Sequence, residues 1–374
     1  MPRSSLRVAL MAIIVFVSLI SNLPPSNSHQ IAMTNWRSPT LNSLYSVCMV
    51  NSTYGWAVGA GGTIICWNGI QWSNVTSPTV ADLDSVFFTN AHDGWAVGAY
   101  GMIIQWNGTC WNRVPGPTYA NLASVCIVNA DDGWAVGQTV QNIVSGYKTW
   151  VWTIIHWNGS SWTNSTSPPE IGNNLFSVAM ANSVDGWAVG PFGTILHWNG
   201  TQWSLWAEYP SSTLAAFNSI YLINADDGWA VGDMGTIFHW DGTQWTSARQ
   251  ESTEDYLSVF FVDAYDGWIA GGAGMFYEIG SSSPVYHWND SMWTSVDNPS
   301  TNPIALRSVF MVDANDGWIV GDGGIIMRWT GVEWTIPEYP RTLYFVLVPG
   351  VVLATIVLSM KLLKEKRQSH YPKT

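Results

Sequence analysis

GWAVGAGGTIICWNGIQW, residues 55–72, places three tryptophans at Trp56, Trp67 and Trp72, separated by short apolar runs and glycine turns. The same pattern recurs along the chain, its opening most often written DGWAVG, as at 132–137. Aligned on the central Trp, the copies fall at Trp56, Trp95, Trp134, Trp187, Trp229, Trp268 and Trp318, with spacings of 39, 39, 53, 42, 39 and 50 residues. A period near 40 is that of a four-stranded propeller blade. A serine stands ten residues before the Trp each time, at Ser46, Ser85, Ser124, Ser177, Ser219, Ser258 and Ser308. A second Trp follows (67, 106, 157, 198, 240, 288, 329), and a third always five residues later, so the three sets hold 21 of the 25 tryptophans.

Each unit reads as four strands. The first surrounds the serine, as in LASVCIVN at 122–129, and ends in a polar turn closed by AspGly. WAVG is the second, and a GxxG turn leads to the third, TIICW or its equivalents. AsnGly or AspGly then suits a two-residue type I′ hairpin, which needs positive φ at both central positions. With Asn68 and Gly69 as that loop, Trp67 opposes Ile70 and Ile65 opposes Trp72, so both rings share one face. Strands apolar on both faces must be covered on both, and radially stacked blades do this without helices.

The fold expected is therefore all-β, a seven-bladed β-propeller of four-stranded antiparallel blades over 29–336, with most tryptophans serving as blade packing. The blades run about 41–79, 80–118, 119–169, 170–210, 211–250, 251–299 and 300–336. NWRSPT at 35–40 resembles QWSNVTSPT at 71–79, an eighth fourth-strand signal. On this reading Trp36 pairs with the third strand of the last blade and closes the ring, while Trp334 adds an outer strand or leads onward.

Charged residues make up 11% of the chain and hydrophobic ones 47%, which excludes a disordered chain. Arg3 and Arg7 precede the apolar run 8–20 and the helix-breaking SNLPPSNS, the order of a signal peptide over 1–28. After a linker at 337–341, residues 342–360 form 19 uncharged positions, long enough for one transmembrane helix, and the basic tail 361–374 follows. The positive-inside rule puts that tail in the cytoplasm and the propeller outside, giving a single-pass protein of the cell membrane. Residues 29–340 hold six Lys or Arg against 25 Asp or Glu, a formal charge of −19. Nucleic acid is excluded as a partner, because a phosphate backbone needs clustered cations. Basic proteins, cations and neutral glycans stay open.

The unit GWAVGxxGxIxxWNGxxW resembles the repeat of the photosystem II stability and assembly factor-like propellers and, more distantly, the Asp-box repeats of sialidase-type propellers. The resemblance covers residues 35–336. It implies a seven-bladed exported protein and, by the photosynthetic members, a non-enzymatic assembly or protein-binding role. Those members engage their client through arginine-rich surface, whereas residues 29–340 here hold five Arg. The sialidase-type alternative, a carbohydrate-binding or glycosidase-like propeller, needs an arginine cluster with a Tyr nucleophile and an acid, and Arg113, Arg249, Arg307 and Arg328 are scattered. A structural envelope component is a third reading. The ending IPEYP, apolar helix and basic residues resembles the C-terminal anchor of archaeal cell-surface proteins.

No catalytic pair or cofactor motif is legible, and a zinc site lacks CxxC spacing. Among Cys48, Cys66, Cys110 and Cys126, buried free thiols are favoured over disulfides, since Cys48 and Cys126 occupy a position held by apolar residues elsewhere. Asp93, Asp132, Asp185, Asp227, Asp266 and Asp316 stand two before the central Trp, with Tyr54 the exception. They are read as caps of their own turns, the alternative being a carboxylate ring for Ca²⁺. His156, His197, His239 and His287 precede the second Trp in four blades and read as repeat-surface residues.

Insertions break the repeat after Gly137 and after Gly271, both in the turn joining strands two and three. Binding concentrates in such loops, so Tyr147, Trp150, Trp152, Met275, Phe276 and Tyr277 are candidate contacts for a protein partner, with an integral-membrane protein in view. Candidate glycosylation sites are Asn51, Asn74, Asn107, Asn158, Asn164, Asn199 and Asn289, five of them on the face opposite the insertions.

Overall fold

In the computed structural model, seven four-stranded antiparallel sheets follow one another along the chain, each built from four consecutive strands. The residues described are 37–142, 148–165, 174–206, 216–248, 252–272, 283–300 and 304–336. The first blade comprises Leu44–Asn51, Tyr54–Gly59, Thr63–Trp67 and Trp72–Asn74; the seventh comprises Leu306–Asp313, Asp316–Gly321, Ile326–Trp329 and Trp334–Thr335. First strands of neighbouring blades pack against one another all the way round, so they line the axis, and the short fourth strands form the rim. The expected signal peptide at 1–28 and the expected transmembrane helix at 342–360 fall outside the described residues, among which no helix is long and apolar enough to cross a membrane.

Two repeating devices hold the blades together. The central Trp of each blade packs on the second and third Trp of the next: Trp56 meets Trp106 at 4.7 Å and, edge-on, Trp111 at 5.4 Å. Edge-to-face geometry sets the positive rim of one ring on the negative face of the other. The repeat serine supplies the second device. Ser46 Oγ accepts the amide of Val86 at 3.2 Å and Ser85 Oγ that of Val125, and the relay runs through Ser124, Ser177, Ser219 and Ser258 to Val309. Every junction thus has an inner hydrogen bond and an outer tryptophan cage.

The ring closes with the same parts. Ser308 Oγ accepts the amide of Val47 at 3.2 Å, and Trp318 packs on Trp67 at 4.8 Å and on Trp72 at 5.3 Å. This corrects the expected closure through Trp36. The third strand of the last blade, Ile326–Trp329, already lies between Asp316–Gly321 and Trp334–Thr335, leaving no free edge for another strand. Trp36 lies outside the described residues.

Both turn expectations are also corrected. Trp67 pairs directly with Trp72, so the hairpin loop has four residues, 68–71. Asn68 Oδ1 accepts the amides of Ile70 and Gln71, and of these four residues only Gly69 has positive φ, at 87°. The asparagine side chain stabilises a wider loop than a type I′ turn by taking up two amides. The conclusion that both rings share a face survives, because directly opposed residues do so. Nor does AspGly make the first turn: Asn90 pairs with Asp93, and Asn90 Oδ1 accepts the amide of His92. Gly94 lies inside the second strand, where a Cβ would collide with the Phe88 ring.

Candidate interaction face

Since strands alternate in direction, the turns between strands two and three emerge at the same end of the ring as the links between blades. Contacts confirm this, for a Cβ on Gly62 would strike Thr79 in the next link and one on Gly101 would strike Thr118. In five blades the tip of this turn is a left-handed residue: Gly61 (φ 63°), Tyr100 (59°), Phe192 (57°), Met234 (52°) and Gly323 (65°). Glycine takes this conformation freely, whereas a bulky side chain pays roughly 1–2 kcal/mol in backbone strain. Tyr100 and Phe192 are nevertheless 75% and 63% exposed, so burial of the side chain does not offset that strain. Next to these tips, the links expose Leu41, Val80 and Tyr119.

The tips are fastened to the next blade. Asp82 Oδ1 accepts the amide of Gly61, Asn121 Oδ1 that of Tyr100, Asp255 Oδ1 that of Met234 and Ser43 Oγ that of Gly323. Asn174 occupies the equivalent place behind blade three, and its buried Oδ1 has no donor among the described residues. There the tight tip is replaced by a continued ladder, with Gln138 opposite Trp152 and Asn142 opposite Lys148.

Around the axis at this same end, the residue preceding each repeat serine differs from blade to blade: Tyr45, Asp84, Ala123, Phe176, Asn218, Leu257 and Arg307. Arg307 holds Asp322 through Nε (2.6 Å) and Nη2 (3.1 Å) and lies 5.3 Å from the centre of the Tyr45 ring. Asp84 forms no hydrogen bond or ion pair with a described residue. Burial, with the nearby Asp82 charge, pushes its carboxyl up to about 6, while Arg307 pulls the other way. Burial likewise raises the Tyr45 hydroxyl. The result is an aromatic, acidic and cationic cluster at the mouth of the ring, spanning blades seven, one and two.

Of the insertion residues, Tyr147, Met275, Phe276 and Tyr277 lie outside the described residues. Trp150 pairs with Val140 in the backbone ladder. Trp152 is half-buried and packs on the core between blades three and four, beside Trp134 and Leu175. All seven sequon asparagines are exposed. Asn51, Asn107, Asn158 and Asn199 use Oδ1 to cap their turns. At Asn74 the amide nitrogen donates to Pro39 O.

The aspartates two before the central Trp do not cap their turns. Asp132 and His156 meet at 2.8 Å, Asp185 and His197 at 2.7 Å, Asp227 and His239 at 2.9 Å, and Asp266 and His287 at 2.8 Å. Each imidazole also lies on the central Trp, His156 with its ring centre 4.3 Å from that of Trp134. Asp316 takes Arg328 at 2.9 Å, and Asp93 takes Gln105 at 3.2 Å. The turn cap is the Asn or Asp that ends the first strand, for example Asn129 and Asp313. Among the described residues no group of three or more His, Cys, Asp or Glu is arranged to hold a metal ion. Arg113, Arg307 and Arg328 bind separate partners, Pro78 O, Asp322 and Asp316, and Arg249 lies outside the described residues.

All four cysteines are free. Cys48 and Cys66 flank Trp56 on either side, two strand spacings or about 9.6 Å apart, beyond disulfide reach. Burial pushes the Cys48 thiol up to about 12 and the Cys126 thiol up to about 11.

The fold has solved counterparts. A structure described as YCF48 bound to D1 peptide is similar with a TM-score of 0.59 at 18% identity, over 79% of this chain and 95% of that one. YCF48 from Cyanidioschyzon merolae gives 0.58 at 17%, over 78% and 96%. The WD40 β-propeller domain of Doa1 gives 0.59 at 14%, over 78% and 95%. At such identities the likeness is one of fold. No family model matches the chain, and no curated protein matches it.

Proposed function

We propose that this chain is a cell-surface propeller, held by a single C-terminal span at 342–360, that acts as a non-enzymatic protein-binding or assembly scaffold. It engages its partner through the mouth where the blade links meet the strand two/three turns. One observation carries the reading. Residues at the blade junctions repeat around the ring, whereas Tyr45, Asp84, Asn218 and Arg307 at the mouth are each unique to one blade. Unrepeated side chains on a repeated frame are what a specific, asymmetric ligand requires, since packing alone would favour the same residue in every blade. Solved propellers of the same fold include one bound to a peptide, which supports a protein ligand. The half-buried Asp84, with no hydrogen-bond or ion-pair partner among the described residues, suits a basic or amide-bearing segment.

A photo-crosslinking residue placed at Tyr45, in the full chain in its own membrane, tests this. The expected result is a discrete protein adduct, absent when the same residue is placed at Val332 on the opposite end, where exposure is 84%. Equal adducts from both positions, or none from Tyr45, would overturn it.

A further inference from the structure

Beyond the partner site at the mouth, the same end of the ring carries an apolar arc, Leu41, Val80, Tyr100 and Tyr119, running from the seam between blades seven and one to the junction of blades two and three. Tyr119 is 93% exposed, and Tyr100 keeps its place at a tip where blades one and seven use glycine. The last described strand, Trp334–Thr335, runs antiparallel to Ile326–Trp329 and delivers the chain at Ile336 to this end, at the rim of blade seven. Only residues 337–341 separate that point from the uncharged stretch 342–360. Five extended residues reach at most about 18 Å, on the order of the width of one blade.

We propose that this arc rests on the lipid surface of the bilayer in which 342–360 is anchored, its tyrosines lying at headgroup depth. The inference rests on the anchoring part of the function proposed above. A ring tethered by so short a linker keeps its exit end and the rim of blade seven near the bilayer, and of these two it is the exit end that carries the apolar arc. Tyrosine, with an apolar ring and a polar tip, is enriched at that boundary. The acidic surface, with a formal charge of −19 over 29–340, selects a zwitterionic headgroup layer over an anionic one. The opposite end also exposes apolar side chains, Ile70, Tyr265 and Val332 among them, but it carries five of the seven sequons, and the chain does not leave from it.

The test uses the full chain in phosphatidylcholine vesicles, with Cys110→Ser to remove the exposed thiol and spin labels attached through Tyr100→Cys, Tyr119→Cys, Ile70→Cys or Val332→Cys. Flotation reports anchoring, and collision with lipid-dissolved oxygen against an aqueous nickel chelate reports depth. The expected result is a several-fold higher oxygen-to-nickel ratio at 100 and 119 than at 70 and 332, reduced when half the lipid is phosphatidylglycerol. Failure to float would overturn the anchoring and this inference with it. Labels at 100 and 119 that stay aqueous on floated protein would overturn the lipid contact alone. Protection that develops only when native membrane extract is added would assign the arc to a protein instead.

Discussion

Replacing Ser308 by Ala removes the acceptor for the Val47 amide, the inner hydrogen bond joining the last blade to the first. Val47 is buried, so its N–H is left without its partner in the innermost strand. A buried donor stranded in this way costs about 1–3 kcal/mol, and because this hydrogen bond is only part-buried the expectation is near 1–2 kcal/mol. With a urea m-value of about 3 kcal/mol/M, the midpoint falls by roughly 0.3–0.7 M. Ser85→Ala removes the equivalent bond to Val125 inside the ring and sets the scale. Equal shifts are expected, because the seam is built from the same serine, the same amide and the same three tryptophans as every other junction. The two sites have no partner in common, so the double variant should shift by their sum. Urea unfolding of the purified full chain, followed by tryptophan emission, measures all three. A seam variant indistinguishable from wild type, alongside a destabilised Ser85→Ala, would refute a ring closed by its own blades.

Three further outcomes follow from the same geometry. The Asp84 carboxyl titrates at about 6 in the folded protein, against about 3.9 unfolded, so its contribution to stability is full below pH 4 and is lost as pH rises through 6. Asp84→Asn should therefore abolish a decline of about 2–3 kcal/mol between pH 4 and 7, read from urea midpoints; a difference between the two proteins that does not vary with pH would contradict this. Tyr100→Gly relieves a left-handed backbone and should raise stability by about 0.5–1 kcal/mol, a gain visible in the thermal midpoint, whereas a loss would mean that the exposed ring is packed. Finally, a maleimide should label exposed Cys110 in the native chain, and Cys48 and Cys126 only after unfolding, as peptide mapping would show.

What the sequence made legible was whatever repeats over a short distance. Three tryptophans and a serine at fixed spacing, recurring seven times, give the number of blades and their four strands. Less was legible where one residue's partner lies far along the chain. Ser46 is conspicuous at ten before Trp56, yet its partner, the Val86 amide, is 40 residues away. Asp132 and His156 were each visible as repeat positions, but their pairing depends on cross-strand register. The Asn68 hairpin is wider than its AsnGly pair suggests, because the side chain that widens the loop is the same asparagine that suggests a type I′ turn. Trp36 mimics a fourth strand locally, and only the pairing of Trp334 with Trp329 shows that the place is taken. The mouth residues were missed for the opposite reason. No residue recurs at the position before each repeat serine, so alignment on tryptophan passes over it, and comparing that position blade by blade brings out Asp84 and Arg307.

A partner held at the mouth of the ring is best tested by quantitative co-purification with the full chain from the cells that make it. Asp84→Lys reverses the charge of the one mouth carboxylate that has no partner among the described residues, and Val332→Lys makes the same kind of change on the opposite end as a control. The associated protein is expected to be lost with Asp84→Lys and retained with Val332→Lys. Retention by the first and loss by the second would place the binding face at the other end of the ring.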